Sequence, residues 1–455
     1  MGNGARSTLE RVQLGLTAAV AATCLVSIFA AQVALTLAVA VYLLRIVRHR
    51  TRFAPLAVDA PILAFSIWTL LSASFSPDPL ASHESAKKLV LFALFYLGVD
   101  TLRAEDDRER VVDAALLGGV VLAAGSLLQY YFLGFDTLDK RPRSFLGHYM
   151  TASGLVMGVT VLAAARLAFR RAPLLPPSRP DLIRLAGLAA ALGLLTLLGA
   201  MDVFAVEGER LLVAALVGAA AFVALSRGPW PTASTGTMLA ALVIPLSGWA
   251  LLLSRTRNAW LGTLAGLAVV ALLRAPRALL LVPAGMAAVL VLRPAPVVER
   301  LTLTDASSRD RYYMWQAGLD MILDKPVFGQ GPGMILVRYP GYRWHEAPNP
   351  QTPHLHDNAL QIAAERGLPC LVMWLWLVAA AMADAYREAR RGLYGAGWVA
   401  GGALAVLAAV MTAGLFEYNF GDSEVLMFTL LVAAMPYALR REREQPMADS
   451  AARPA

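Results

Sequence analysis

Apolar runs of about 18 or more residues recur along nearly the whole of this 455-residue chain, separated by short polar connections. A run of that length, wound as an α-helix, is long enough to cross the hydrocarbon core of a bilayer. The pattern therefore predicts an all-α polytopic membrane protein. The runs indicate spans at 12–47 (two helices), 58–75, 86–103, 111–133, 147–169, 185–204, 210–226, 236–254, 258–274, 278–293, 359–384, 393–415 and 422–439.

These runs amount to fourteen spans, but several are short enough to be half-helices or interfacial pieces. We therefore expect a bundle of 12–14 transmembrane helices. The pattern divides the chain into an N-terminal bundle at 1–293, a cap with short helices at 294–357, C-terminal spans at 358–440 and a disordered cytoplasmic tail at 441–455. Within the cap, Ser307 or Ser308 is expected to begin a helix. The apolar stripe of that helix is formed by Tyr312, Trp315, Leu319, Ile322 and Leu323.

Basic clusters set the expected orientation of the spans. Arginines gather at 45–52, at 166–184 and at 440–443, and the positive-inside rule assigns such clusters to the cytoplasm. With both ends cytoplasmic the number of spans is even. The connections 134–146, 205–209 and 255–257 and the cap then share the extracytoplasmic side.

The composition excludes several classes of protein. Hydrophobic residues make up 58% of the chain and charged residues only 16%, with a mean hydropathy of +0.57, whereas soluble domains carry about a quarter charged residues. The net charge of +8 comes from short basic clusters between the apolar runs, which act as topology signals, and this argues against nucleic-acid binding. Cys24 and Cys370 are the only cysteines, too few for a disulfide framework or a thiolate metal site.

Histidines give the first chemical signal. Three of the six, His345, His354 and His356, lie within twelve residues at the end of the cap, where Asp357 or Asn358 is expected to cap the next helix. A helix N-terminus disfavours an imidazolium, so a histidine there stays neutral and can act as a general base. Two alternatives stay open: the histidines only cap and hydrate the helix end, or they bind a metal, for which the sequence shows no complete ligand set.

Arginines on the same predicted side give the second signal. The positive-inside rule disfavours arginines on this side of the membrane. Because the planar donor fork of a guanidinium matches phosphate oxygens, a diphosphate is the expected ligand. The alternative is that each arginine reaches lipid headgroups or pairs with a nearby carboxylate. The five candidates are Arg143, Arg255, Arg257, Arg309 and Arg311.

Several carboxylates on this side are candidate partners for a histidine or an arginine, although no spacing distinguishes one of them. They are Asp139, Glu207, Glu209, Glu417, Asp422 and Glu424. Glu365, which is followed by Arg366 inside an apolar span, is expected to form an internal ion pair.

The segment Pro353–Gln361, followed by Glu365–Gly367, resembles the His-x-His-Asn-x-x-Leu-Gln…Glu-x-Gly signature of the O-antigen ligase/polymerase superfamily, with Asp357 where Asn is common. Upstream, Arg311–Trp315 and Lys325–Gly331 are similar to its Arg-x-x-x-Trp helix and Pro-x-x-Gly-x-Gly turn. Arg257–Trp260 resembles a Ser-Arg-Gly-Ala motif, with Thr256 for Ser and Asn258 for Gly, and Arg143–His148 resembles an Arg-x-x-Gly segment more weakly.

The resemblance implies a GT-C-like glycosyltransferase without metal or cofactor, in the bacterial inner membrane with its active site facing the periplasm. It implies an undecaprenyl-diphosphate-linked O-antigen as donor and lipid A-core as acceptor. The single cap of about 64 residues at 294–357, with three spans after it, favours the ligase branch. An O-antigen polymerase, an O-oligosaccharyltransferase and, from another class, a lipid-linked glycan transporter are the alternatives.

Residue roles follow from that reaction. His356 is expected to be the general base and His354 to orient it or the acceptor. Arg257 and Arg311 are expected to stabilise charge on the leaving diphosphate. The reaction is expected to invert the anomeric centre.

Overall fold

The computed structural model describes residues 7–49, 55–169, 233–280 and 306–451, and within these ranges the regular elements are all helical. The α-helices are α1 (Thr8–Thr23), α2 (Ile28–His49), α3 (Asp59–Ser74), α4 (Pro79–Ala86), α5 (Phe92–Thr101), α6 (Glu105–Phe132), α7 (Tyr149–Ala168), α8 (Ala233–Leu253), α9 (Arg257–Arg274), α10 (Ala306–Asp324), α11 (Ile335–Tyr342), α12 (Asn358–Arg391), α13 (Trp398–Ala413) and α14 (Ser423–Ala451). Short 3₁₀ turns lie at Lys87–Leu91, Pro276–Leu280, Gly395–Gly397 and Asn419–Gly421.

Among the described residues, six helices are long and apolar enough to cross a membrane, so the predicted all-α polytopic membrane protein is confirmed. They are Ile28–Arg48, Glu105–Phe132, Tyr149–Ala168, Asn358–Arg391, Gly395–Ala413 and Ser423–Glu444. Two shorter apolar helices accompany them, Asp59–Ser74 and Leu239–Leu253. The predicted spans 185–204 and 210–226, and nearly all of 278–293, lie outside the described residues, so the count of 12–14 stays a prediction.

Small residues let the central helices approach closely. A Cβ atom on Gly262 of α9 would lie 2.6 Å from the carbonyl oxygen of Ala409, and one on Gly266 would lie 3.0 Å from that of Ala405. Because lipid is as apolar as the side chains, helices in a membrane associate mainly through such close packing. By contrast, α12 exposes Val372, Leu375 and Trp376, as a lipid-facing helix does.

The predicted span 86–103 is not one continuous α-helix. The chain winds as α4, then as the 3₁₀ turn Lys87–Leu91, and only then as the ten-residue helix α5. The turn lies where the polar residues Lys87 and Lys88 precede the apolar run, and the Lys88 ammonium donates to the carbonyl oxygen of Gly421.

The cap helix also differs from the expectation. Since α10 begins at Ala306, Ser308 lies in its first turn, where its hydroxyl accepts a hydrogen bond from Arg257. Its buried face consists of Met314, Ala317 and Met321. These residues pack on Leu355 and Ala364, which leaves Tyr312, Leu319 and Leu323 of the predicted stripe exposed.

Ion pairs join the helices at the end of the bundle opposite the cap. Arg108 is fully buried and pairs with Glu442 at 2.6 Å, and Arg443 pairs with Glu388 at 3.0 Å. These contacts hold the start of the predicted disordered tail, which instead continues α14 as a helix to Ala451. α14 therefore extends past the apolar run and packs through Glu442 and Arg443. Residues 452–455 lie outside the described residues, so the tail at 441–455 stays a prediction.

Candidate active site

A break in helix α12 at Gly367 provides the backbone groups to which the cap segment is attached. Gly367 has φ +82°, and the turn after α10 packs against the backbone at this break. The backbone N–H groups of Gln330 and Gly331 donate to the carbonyl oxygens of Ala364 and Glu365, each at 2.8 Å, and that of Leu368 donates to Pro326 at 2.8 Å. The glycine-rich turn is therefore a structural clasp between the cap and α12.

The carboxylate of Glu365 anchors this clasp to the histidine segment. It accepts from the backbone N–H of Gly333 at 2.9 Å, from Gln361 Nε2 at 2.8 Å and from Arg366 Nη1 at 2.6 Å. Gln361 Oε1 in turn accepts from the backbone N–H of Leu355 at 2.7 Å. The internal ion pair predicted for Glu365 and Arg366 is confirmed. Through Gln361, Glu365 also holds the backbone of Leu355, which lies between the two histidines.

The first turn of α12 joins the histidine segment to the connection between α13 and α14. Asp357 caps the helix by accepting from the backbone N–H of Leu360 at 2.7 Å, so the predicted cap is confirmed. The next residue, Asn358, donates its backbone N–H to Gly414 at 2.8 Å, and its Oδ1 accepts from Phe420 at 3.0 Å. The connection 414–422 is thus held directly beside His354 and His356.

Glu417, from that connection, lies between the two histidines. Its Oε2 is 2.8 Å from His356 Nδ1, and its Oε1 is 3.7 Å from His354 Nδ1. The two imidazole rings lie with their centroids 4.2 Å apart. When His356 is neutral, a carboxylate at Nδ1 favours the tautomer with hydrogen on Nδ1 and a lone pair on Nε2, which is the arrangement of an oriented general base.

Burial and charge set the protonation of this cluster. Burial lowers the pKa of His354 to about 4, although Glu417 opposes the shift. Burial raises the pKa of Glu417, but the charge of His356 when that ring is protonated, its hydrogen bond and the charge of Arg311 outweigh burial and lower the pKa of the carboxyl to about 2. At neutral pH the site therefore holds an ionised carboxylate beside a neutral His354.

His354, His356 and Glu417 also present one ligand atom each within 4.8 Å of one another, a spacing that suits a metal ion. The sequence offered no third ligand near the histidines, because Glu417 is 61 residues beyond His356. Two imidazoles and a carboxylate match the ligands of a zinc site, so metal binding is the chemical alternative to a hydrogen-bonded general base at this cluster.

Acid should destabilise the protein through His354. The ring takes up a proton near pH 6.5 when unfolded but only near pH 4 when folded, so stability is lost as the pH falls through this window. We expect the thermal midpoint of the purified protein to decline between pH 7 and pH 5, and the decline to be smaller in His354→Gln. The exposed His345 provides the control His345→Gln. An equal decline in His354→Gln and the wild type would contradict the assignment.

Arg311 and Arg257 approach this cluster from the cap. Arg311 Nη2 lies 4.0 Å from Glu417 Oε2. Arg257, the first residue of α9, donates from Nη2 to Ser308 Oγ at 2.8 Å. Because Ser308 and Arg311 are three residues apart on α10, they are neighbours on one face of that helix. Both arginines therefore lie on the cap side of the Glu417–His356 pair.

The other three candidate arginines differ in their surroundings. Arg255 is buried beside Arg257 in a left-handed conformation with φ +51°. Arg143 is exposed and donates to the carbonyl oxygen of Gly147 at 3.0 Å, and Arg309 is exposed on α10. The structure thus brings His354, His356 and Arg311 together around Glu417, with Arg257 close by.

A cavity of about 360 Å³ adjoins the cluster. Its lining includes His148, His354, Glu417, Tyr418, Asp422 and Lys88. Glu417 and Asp422 were candidates from the sequence, but Lys88 and Tyr418 were missed. The available signal was the polar stretch Glu417–Asp422 between two apolar spans on the predicted far side.

Comparisons with known proteins bear on the same region. A family model described as O-antigen ligase matches residues 240–375. A Rickettsia conorii protein provisionally named polysaccharide ligase is 29% identical over 96 residues, which cover 19% of this chain and 22% of that protein. A Rickettsia felis protein with the same provisional name is also 29% identical over 96 residues, 19% of this chain and 23% of its own length.

The chain thus matches less than a quarter of the length of these curated relatives. The segment matched by the family model contains His354, His356, Arg257 and Arg311, whereas Glu417 and Lys88 lie outside it. The resemblance drawn from the sequence is confirmed over this segment, since residues 240–375 match the model of the O-antigen ligase family.

Proposed function

We propose that this protein is an O-antigen ligase, a glycosyltransferase that moves a glycan from undecaprenyl diphosphate to a sugar hydroxyl of lipid A-core. The reaction takes place at the periplasmic face of the bacterial inner membrane, where the lipid parts of both substrates lie in the bilayer. The observation that supports this most directly is the 2.8 Å contact between His356 Nδ1 and the buried carboxylate of Glu417.

In this mechanism His356 Nε2 takes the proton of the acceptor hydroxyl. The oxygen attacks the anomeric carbon of the donor sugar as the bond from that carbon to the diphosphate oxygen breaks, and the leaving diphosphate keeps the electron pair. Glu417 stabilises the imidazolium that forms, because its carboxylate is ionised and in contact with the ring. Displacement in one step inverts the anomeric configuration.

The departing diphosphate needs positive charge rather than a proton. Arg257 and Arg311 are the best placed donors, since both lie beside the first turns of the cap helix and Arg311 reaches towards Glu417. Preorganised guanidinium groups stabilise the developing charge without a divalent metal. Arg143, Arg255 and Arg309 are further candidates for the same diphosphate.

A defined reaction tests the proposal. Purified protein is incubated with undecaprenyl-diphosphate glycan and lipid A-core in the presence of EDTA, and the acceptor is analysed by mass spectrometry. We expect a mass increase equal to the glycan, at the same rate with and without EDTA.

Each of the other possible results would indicate a different mechanism or function. Loss of the product with EDTA, restored by Zn²⁺, would replace the hydrogen-bonded base with a metal centre at His354, His356 and Glu417. Lengthening of the lipid-linked glycan, without change in lipid A-core, would indicate a polymerase. Movement of the lipid-linked glycan across vesicles without a glycosyl product would indicate a transporter.

A further inference from the structure

The cavity beside Glu417 is lined by residues other than the candidate diphosphate arginines, although Arg311 lies 4.0 Å from Glu417. None of Arg143, Arg255, Arg257, Arg309 and Arg311 lines it, and its basic residues are Lys88, Arg366 and His148 together with His354. The donor diphosphate, bound by Arg257 and Arg311, would therefore approach the cluster from the cap side. The cavity is open for the second substrate of the reaction.

Lys88 differs from the other groups that line this cavity. Arg366 is engaged by Glu365 at 2.6 Å, and the carboxylate of Asp422 accepts from Thr151 and from the first backbone N–H groups of α14. Lys88 is exposed, and its ammonium donates to the carbonyl oxygen of Gly421. Among the described residues, no carboxylate lies within the 4.0 Å of an ion pair from Lys88 Nζ, although its charge interacts electrostatically with Glu424.

The adjacent lysine shows that this placement is specific. Lys87 belongs to the same 3₁₀ turn but pairs with Glu84 at 2.9 Å, with both side chains about 70% exposed. Lys87 does not line the cavity. The turn that interrupts the predicted span 86–103 therefore gives two neighbouring lysines different surroundings, one at the cavity and one at a surface ion pair.

The remaining lining suits a saccharide. The hydroxyl of Tyr418 and the remaining lone pairs of Asp422 and Glu417 can donate to or accept from sugar hydroxyls. Gln361 and Thr151 are instead bonded to Glu365 and Asp422. A volume of about 360 Å³ is within the range of small-molecule sites. An ammonium group that lines a cavity and makes no direct ion pair within it can bind a ligand that also carries negative charge.

We propose that this cavity is the acceptor subsite and that Lys88 binds an anionic substituent, a phosphate or a carboxylate, of the acceptor saccharide. The inference rests on the proposed glycosyl transfer, because it assigns the second substrate of that reaction. Lys88 acts in binding and orientation, and it takes no part in proton transfer.

Acceptor kinetics test this with the full-length protein. Lys88→Met should raise the acceptor KM about tenfold or more, with kcat and the donor KM within about twofold of the wild type, because one charge-assisted contact is lost. Lys88→Arg should recover most of the affinity. The matched control Lys87→Met removes a neighbouring charge outside the cavity and should leave all three constants unchanged.

Chemically altered acceptors identify the substituent. Lipid A-core is used intact, after phosphatase treatment and after methyl esterification of its carboxylates. Wild type should lose affinity for one of the two treated acceptors, and with that acceptor Lys88→Met should match the wild type. Whichever treatment removes the difference identifies phosphate or carboxylate as the group bound.

Two results would overturn the proposal. One is an equal loss in Lys88→Met with all three acceptors, and the other is a raised donor KM, which would move Lys88 to the donor. A binding measurement separates this from failure of the proposed function. Intact and treated core oligosaccharides are titrated against the protein in nanodiscs. This measurement detects Lys88-dependent binding without any turnover. A wild-type protein that binds the oligosaccharide through Lys88 but never transfers glycan would refute the proposed reaction and leave the proposed binding site intact.

Discussion

His356→Ala is expected to lower the kcat of glycan transfer by about a thousandfold, because it removes the group that accepts the acceptor proton. Glu417 fixes one ring nitrogen at 2.8 Å, so the other is the only part of the imidazole left for the substrate. Alanine leaves the helix cap of Asp357 and the clasp at Glu365 unchanged. The protein should therefore insert and accumulate normally, and the measurement is the initial rate of acceptor glycosylation with both substrates saturating.

The control for this variant is His345→Ala. This histidine belongs to the same cluster in the sequence but is exposed on the cap, and its loss should leave the rate within about twofold of the wild type. A His356→Ala protein that retains more than a tenth of the wild-type kcat would rule out His356 as the base. In that case His354, the other ring beside Glu417, would be the next candidate.

Gly367→Ala is expected to destabilise the fold by about 3 kcal/mol or more, since it combines backbone strain with a steric clash. The residue has φ +82°, which L-amino acids rarely adopt. A Cβ atom here would also clash with the carbonyl oxygen of Val327, so the turn would have to move away from α12. The measurements are the yield of monodisperse protein in detergent and its thermal midpoint.

Gly341→Ala is the matched control, because a Cβ atom there meets nothing within 4 Å. It should leave both the yield and the midpoint unchanged. A Gly367→Ala protein with a wild-type midpoint would mean that the clasp between the cap and α12 is not needed for folding. Loss of transfer with a normal midpoint would instead show that the clasp acts only in positioning the histidine segment.

Much of the architecture was predictable because the bilayer imposes one simple requirement on every span. An apolar run long enough to cross it forms a helix wherever it occurs, since unpaired backbone groups are costly in lipid. The start of α12 was predictable because it depends on a local contact, in which Asp357 accepts from the backbone N–H of Leu360 three residues away. The clustering of His354 and His356 was visible for the same reason.

The errors arose where the apolar pattern ends. Lys87 and Lys88 follow the first residue of the span 86–103, and a hydropathy pattern does not distinguish a 3₁₀ turn from the first turn of an α-helix. The stretch after 440 is rich in charge, and Arg108 and Glu388 of other helices supply the partners of Glu442 and Arg443. Such pairing is a property of the packed bundle rather than of the segment itself.

The sequence by itself determined the helical membrane class and the residue types available for chemistry, because each depends on short stretches of chain. Only the tertiary structure decided which groups meet. Glu417 reaches His356 across 61 residues, and Lys88 reaches Gly421 across 333. These contacts depend on how the helices pack and where their connections converge, and no local periodicity encodes that arrangement.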